Sequence, residues 1–197
     1  MSMPRLTFLL IFYFMWQGCG EKTFYPKPRA FPRVEYPERL YQAFLSDNCP
    51  FTFQFPTYAS VEFDRQKFDG KPENACWFDL IYQPFDARLH ISYFEIGKEK
   101  QLSKLMNDAF VMADKINQRS NFMDEVQVKN PYGASGLIME FTGRAASPLQ
   151  FFLTDSTNHF LKASLYFNSK VNPDSIAPIA EFVKVDVAEL INTLKWE

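Results

Sequence analysis

Histidine is nearly missing from this chain of 197 residues, which carries only His90 and His159, and cysteine is held to three. Neither histidine stands at ligand spacing to a cysteine, which argues against a Cys/His zinc site. Glycine is scarce at seven residues, and no Gly-rich phosphate loop occurs. An excess of one charge is lacking too. The 21 Lys and Arg face 23 Asp and Glu, and no basic stripe with interleaved aromatics marks a nucleic-acid surface. The apolar run from Leu6 to Trp16 falls short of the roughly 20 residues that a spanning helix needs. What the chain has in plenty is aromatic side chains, 17% of residues with 22 Phe, as expected of a sheet-rich domain with a bulky core. Its length suits one such domain and little more.

The short apolar run has a different use. Arg5 gives a weakly positive start, the run follows, and Gly18 puts a small side chain directly before Cys19. That is the pattern of a secretory signal over residues 1–18. With cysteine as the first residue after the cut, it becomes the pattern of a bacterial lipoprotein, diacylglycerol on the Cys19 thiol and an acyl chain on the new amino terminus. At about 0.8 kcal/mol per buried CH₂, several acyl chains make such an anchor effectively permanent. Trp16 and Gln17 are unusual in the two positions before Gly18, and an ordinary cleavable signal or a buried hydrophobic N-terminus are the alternatives. Losing Arg5 with the leader leaves 20 basic against 23 acidic residues, a net charge of about −3.

With Cys19 set aside for lipid, Cys49 and Cys76 remain as an even pair in an exported, oxidising setting. A bridge between them would stabilise the fold by roughly 3.5 kcal/mol in the chain-entropy model, the alternative being two free buried thiols.

Residues 19–38 read as a lipidated tether. Pro26, Pro28, Pro32 and Pro37 favour extended backbone, and Lys27, Arg29 and Arg33 make it basic, a spacer or a docking strip. Residues 39–197 read as one domain. It opens with "YPERLYQAFL", a short helical or turn segment, followed by strand-like runs "FTFQF", "ASVEF", "CWFDLIY" and "ARLHISYFE" with alternating apolar residues. The loop "FDGKPEN" separates the second and third. The period then changes: Leu102, Leu105, Met106, Ala109, Phe110, Ala113 and Ile116 form the stripe of an amphipathic helix. Four more strands follow, "FMDEVQVK", "GLIMEFTG", "PLQFFLTD" and "HFLKASLYF", the last two joined by a turn at "TDSTNH". A final helix starts near "NPDSIAP", with Asp174 or Ser175 as cap, Pro178 in the first turn, and Ile179, Phe182, Val183, Val187, Leu190, Ile191 and Leu194 inward. Strand runs set apart from two long helices predict an α+β fold with antiparallel sheets. The order is similar to that of the PsbP-like α/β/α sandwich.

Chemistry is hard to find. Asp155, Ser156 and His159 crowd into five residues of a tight turn, where they cannot converge on one reacting atom, and no G-x-S-x-G elbow surrounds Ser156. Glu62, Asp64 and Asp69 lack the dense loop of a calcium site and suit a solvated strand face. His90 belongs on the polar side of its strand. The expectation is a chain without catalytic, metal or cofactor-binding residues.

The stretches "NCPFTFQFPTYASVEF", "NACWFDLIY", "GRAASPLQFFLTDSTNHFLKASLYF" and "INTLKW", with the leader "YPKPRAFPRVEYP", resemble the gliding-motility-associated lipoprotein family GldD, in the same order and over nearly the whole mature chain. The resemblance implies a cell-envelope lipoprotein needed for gliding, in machinery tied to type IX secretion, and brings no catalytic residues. It implies a membrane partner through the anchor and other envelope proteins of motility or secretion as partners, on the periplasmic side. The other function class is a lipoprotein that binds a small lipid or glycan. A broad apolar surface would favour docking, a deep pocket the small ligand.

Overall fold

The computed structural model describes residues 33–63, 74–98, 101–168 and 173–197. Ten strands and two long helices run in the order β1 (Tyr41–Phe44), β2 (Phe51–Pro56), β3 (Ala59–Phe63), β4 (Trp77–Tyr82), a 3-10 turn (Gln83–Phe85), β5 (Ala87–Glu95), α1 (Leu102–Asn117), β6 (Ser120–Lys129), β7 (Ser135–Gly143), β8 (Leu149–Thr154), β9 (His159–Phe167), α2 (Pro173–Thr193) and β10 (Lys195–Trp196). Seven strands form an antiparallel sheet ordered β3-β4-β5-β9-β8-β7-β6, and β1-β2-β10 form a second. This is the expected α+β class.

Strand alternation sorts the core onto the two faces of the large sheet. On one face Leu89 and Ile91 of β5, Leu161, Ala163 and Leu165 of β9, and Leu149, Phe151 and Leu153 of β8 meet Val183, Val187, Leu190 and Ile191 of α2 and the small sheet's phenylalanines. There Phe44 stacks on Phe53 and Phe78 at 4.7 and 4.8 Å between ring centroids. On the other face Phe94, Phe160, Phe152, Met139 and Phe141 receive Leu105, Ala109 and Ala113 of α1. All six residues of β8 are buried, because this central strand has a helix over each side. Gly136 sits where β7 meets β8 closely: a Cβ there would lie 1.8 Å from the Phe152 carbonyl oxygen.

Three local expectations change. "YPERLYQAFL" contains a strand, not a helix or turn: Tyr41 to Phe44 pair antiparallel with Pro56 to Phe53, so a partner in space overrides local preference. Asp174 and Ser175 lie inside α2, which begins at Pro173, where a proline's missing N–H costs nothing. Pro178 is then the sixth residue, past the first turn, and forfeits one backbone bond that the helix's packed face offsets. Lys195 and Trp196, after the helix ends, pair with Thr52 and Phe51. The loop at Asp64 and Asp69, and Cys19 with its leader, lie outside the described residues.

Candidate docking site

β6 closes the large sheet on one side, and among the described residues no strand pairs with its outer edge. It is ten residues long, with most of its side chains exposed. Its register against β7 places Phe122, Asp124, Val126 and Val128 on the α2 side and Met123, Glu125, Gln127 and Lys129 on the α1 side. Phe122 is 63% exposed and Val126 45%, and Tyr132 in the following turn is 54% exposed. On the α1 side the strand forms the rim of an open groove of about 740 Å³, walled by Leu102, Met106 and Phe110 and floored by Leu137 and Phe152. A smaller apolar slot of about 150 Å³ lies between the β7–β8 connection and the start of α2. Lys184 stands at its rim, bonded to Glu181 at 2.8 Å and to Glu140. Its partial burial opposes the charge, but the two glutamates outweigh it and raise its pKa.

The hairpin that carries β6 is fastened from below. Asn130 is buried, and its Nδ2 donates to the carbonyls of Ile191 and Leu194 at 2.9 and 2.6 Å, satisfying the end of α2. Its Oδ1 accepts the backbone N–H groups of Tyr132 and Ala134 at 3.0 and 2.9 Å. All four hydrogen-bonding positions of the amide are used.

A second polar constellation joins the domain's first residues to α2. Asp186 is wholly buried. Tyr41 donates to its Oδ1 at 3.0 Å, Tyr58 donates to its Oδ2, and the Arg39 Nε lies 3.4 Å away. Arg39 also donates to the Phe182 carbonyl at 3.0 Å, with its guanidinium 3.9 Å above the Phe182 ring. Burial first, then the bond to Asp186, pushes the Tyr41 hydroxyl up to about 12 and Tyr58 further still. The wholly buried Tyr82 hydroxyl has no hydrogen-bond partner among the described residues, and burial with the Asp186 charge raises it as well. Just upstream, Tyr36 packs on Phe182 at 4.6 Å, and Val34 lies against the main core. Sequence reasoning missed this cluster. The available signal was Asp186 itself, an acid within the apolar stripe of α2, three residues after Val183 and four before Leu190.

The residues singled out from sequence fall as follows. Cys49 and Cys76 form a disulfide, Cα to Cα 5.4 Å, joining the start of β2 to that of β4. Asp155 spends its carboxylate on the turn, accepting the backbone N–H groups of Thr157, Asn158 and His159 at 2.9 Å each. Partial burial pushes this carboxyl up, but those bonds outweigh it and hold it at about 2. Ser156 has φ +69° within the turn. His159 looks elsewhere, its Nδ1 2.8 Å from the Tyr93 hydroxyl and its ring stacked on Trp196. His90 is half exposed, with its Nδ1 2.6 Å from Asp79, which also takes Arg88 at 2.8 Å. Glu62 is exposed on β3, opposite Asp79. Among the described residues no three His, Cys, Asp or Glu side chains could hold a metal ion together, and no helix is long and apolar enough to cross a membrane.

Fold and surface thus define an α+β domain, disulfide-bridged, in which a sheet edge unpaired among the described residues runs beside an open groove. The family model for gliding motility lipoprotein GldD matches residues 21–196, and the chain belongs to that family. It is therefore a lipoprotein of gliding motility, held at a membrane of the cell envelope. A search of curated protein sequences returns no match. Among solved structures, the solution structure of cyanobacterial PsbP (CyanoP) from Synechocystis sp. PCC 6803 is similar over 80% of this chain and 92% of that one, with 11% identity and a TM-score of 0.45.

Proposed function

We propose that this protein is a non-catalytic assembly component of the gliding and type IX secretion machinery, anchored through lipid on Cys19 after loss of residues 1–18. It faces the periplasm on its basic tether and docks other envelope proteins of that machinery. The observation that carries the reading is the exposed β6 edge, where Phe122, Val126 and Tyr132 put apolar surface into solvent along one hairpin. The small-ligand reading has less support. The slot under α2, at about 150 Å³, is too small to enclose a lipid or glycan, and the larger groove lies open along the sheet edge.

The test is detergent-solubilised co-purification from gliding cells, comparing wild type with Cys19→Ser. Recovery of motility or secretion components with the wild type, and their loss from the variant, is the expected result. Absence of any such component from both samples would overturn the docking reading and turn attention to the groove as a ligand site.

A further inference from the structure

From the outer edge of β6, unpaired among the described residues, we infer the kind of segment that docks there: an extended strand of a partner protein, bearing two adjacent basic residues between apolar ones, that adds to the large sheet beside β6. The inference rests on the docking reading above and deepens it.

The backbone argument begins at Glu125. Its N–H is taken by the Asp124 side chain at 3.0 Å, so it points to the outer edge and not toward β7. In an antiparallel pair alternate residues turn their N–H the same way. Met123, Gln127 and Lys129 therefore also present their N–H groups outward, a row of donors ready for an added strand.

Side chains specify what is added. Residues of an incoming strand lie directly opposite those of β6, with neighbours on opposite faces. Asp124 points to the α2 side and Glu125 to the groove, so two consecutive basic residues on the incoming strand reach one carboxylate each. Apolar residues flanking the pair cover Phe122 and Val126. Asp124 has two roles in this scheme. In the free protein it guards the edge by occupying the Glu125 N–H, and on docking it exchanges that N–H for a cation while the incoming carbonyl takes its place. A second copy of this chain is a poor occupant. Antiparallel pairing of β6 with itself about its centre sets Asp124 against Asp124 or Glu125 against Glu125, like charges directly opposed.

Two measurements test this. The first follows amide hydrogen exchange of Met123, Gln127 and Lys129 in the full chain, with ten-residue peptides of alternating valine and threonine carrying either a central Lys-Lys or a central Glu-Glu pair. The Lys-Lys peptide is expected to slow these amides by about tenfold or more, and the Glu-Glu peptide to leave them unchanged. The double substitution Asp124→Lys with Glu125→Lys should reverse that preference. Equal slowing by both peptides, or slowing by neither, overturns the inference. The second repeats the co-purification with Gln127→Pro, which removes an outward N–H and leaves the β6–β7 ladder intact. Wild type that captures motility components alongside a folded Gln127→Pro chain that does not is the expected outcome. Capture by both refutes the edge while the docking reading stands, whereas capture by neither refutes the docking reading itself. Should Gln127→Pro fail to fold, the charge-reversed pair takes its place in the same comparison.

Discussion

Replacing Asp186 with alanine should be among the most damaging single changes in this domain. The side chain is fully buried, takes hydrogen bonds from Tyr41 and Tyr58, and pairs with Arg39. Removing it leaves two tyrosine hydroxyls without their acceptor, at about 1–3 kcal/mol each. Arg39 adds little, because a third of its side chain is exposed and water can solvate it. Breaking one side of a buried polar cluster typically costs about 3–5 kcal/mol, which agrees with the sum for the two hydroxyls. For a domain of this size each kcal/mol lowers Tm by about 2–4 °C, so the expected drop is roughly 6–20 °C. Asp186→Asn retains one acceptor oxygen and should cost about 1–3 kcal/mol. The assay is urea unfolding followed by tryptophan fluorescence, in a cycle with Tyr58→Phe. A coupling of at least about 1 kcal/mol between the two positions is expected. If Asp186→Ala costs less than about 1 kcal/mol, or the cycle shows no coupling, the cluster is not the fastening described here.

Reducing the Cys49–Cys76 bridge, or replacing both cysteines by alanine, should cost about 3.5 kcal/mol, read as a lower urea midpoint that dithiothreitol reproduces in the wild type alone. Asn130→Ala strips the partners from two carbonyls at the end of α2 and two turn N–H groups, and should cost up to about 3 kcal/mol, with faster amide exchange at Tyr132 and Ala134. Asp155 is ionised more readily folded than unfolded, so its contribution is present above the ordinary value of 3.8 and lost as pH falls toward about 2. Asp155→Asn should flatten the stability profile in that window and lower Tm at neutral pH, where the carboxylate's contribution is fully present, as acid titration of Tm would report.

Elements with a strong period were legible in the sequence. The α1 stripe from Leu102 to Ile116 lies within the observed Leu102–Asn117, and the buried face of α2 contains Val183, Val187, Leu190 and Ile191 as read. The turn at Asp155 follows from Asx chemistry that acts within five residues. What escaped depends on distant partners. Tyr41–Phe44 is a strand because β2 lies beside it, and Lys195–Trp196 is one for the same reason on the other flank. The Asp186 cluster draws on residues more than a hundred positions apart, and no local pattern at Arg39 or Tyr58 announces it. That β6 is an edge strand among the described residues is likewise a property of strand order, invisible in "FMDEVQVK".

The small sheet has a mechanical consequence. If the chain is held at Cys19 as proposed, tension from the membrane reaches the domain through residues just before β1. β1 has four residues, pairs among the described residues with β2 alone, and is backed by Arg39 and Tyr41 on Asp186. β2 is secured independently, by β10 on its other flank and by the disulfide next to its start. Under load the first element to yield is therefore β1, which can peel away while β2 and the large sheet stay in place. The domain thereby gains a few residues of slack between anchor and body before the β6 edge, the proposed docking surface, is disturbed.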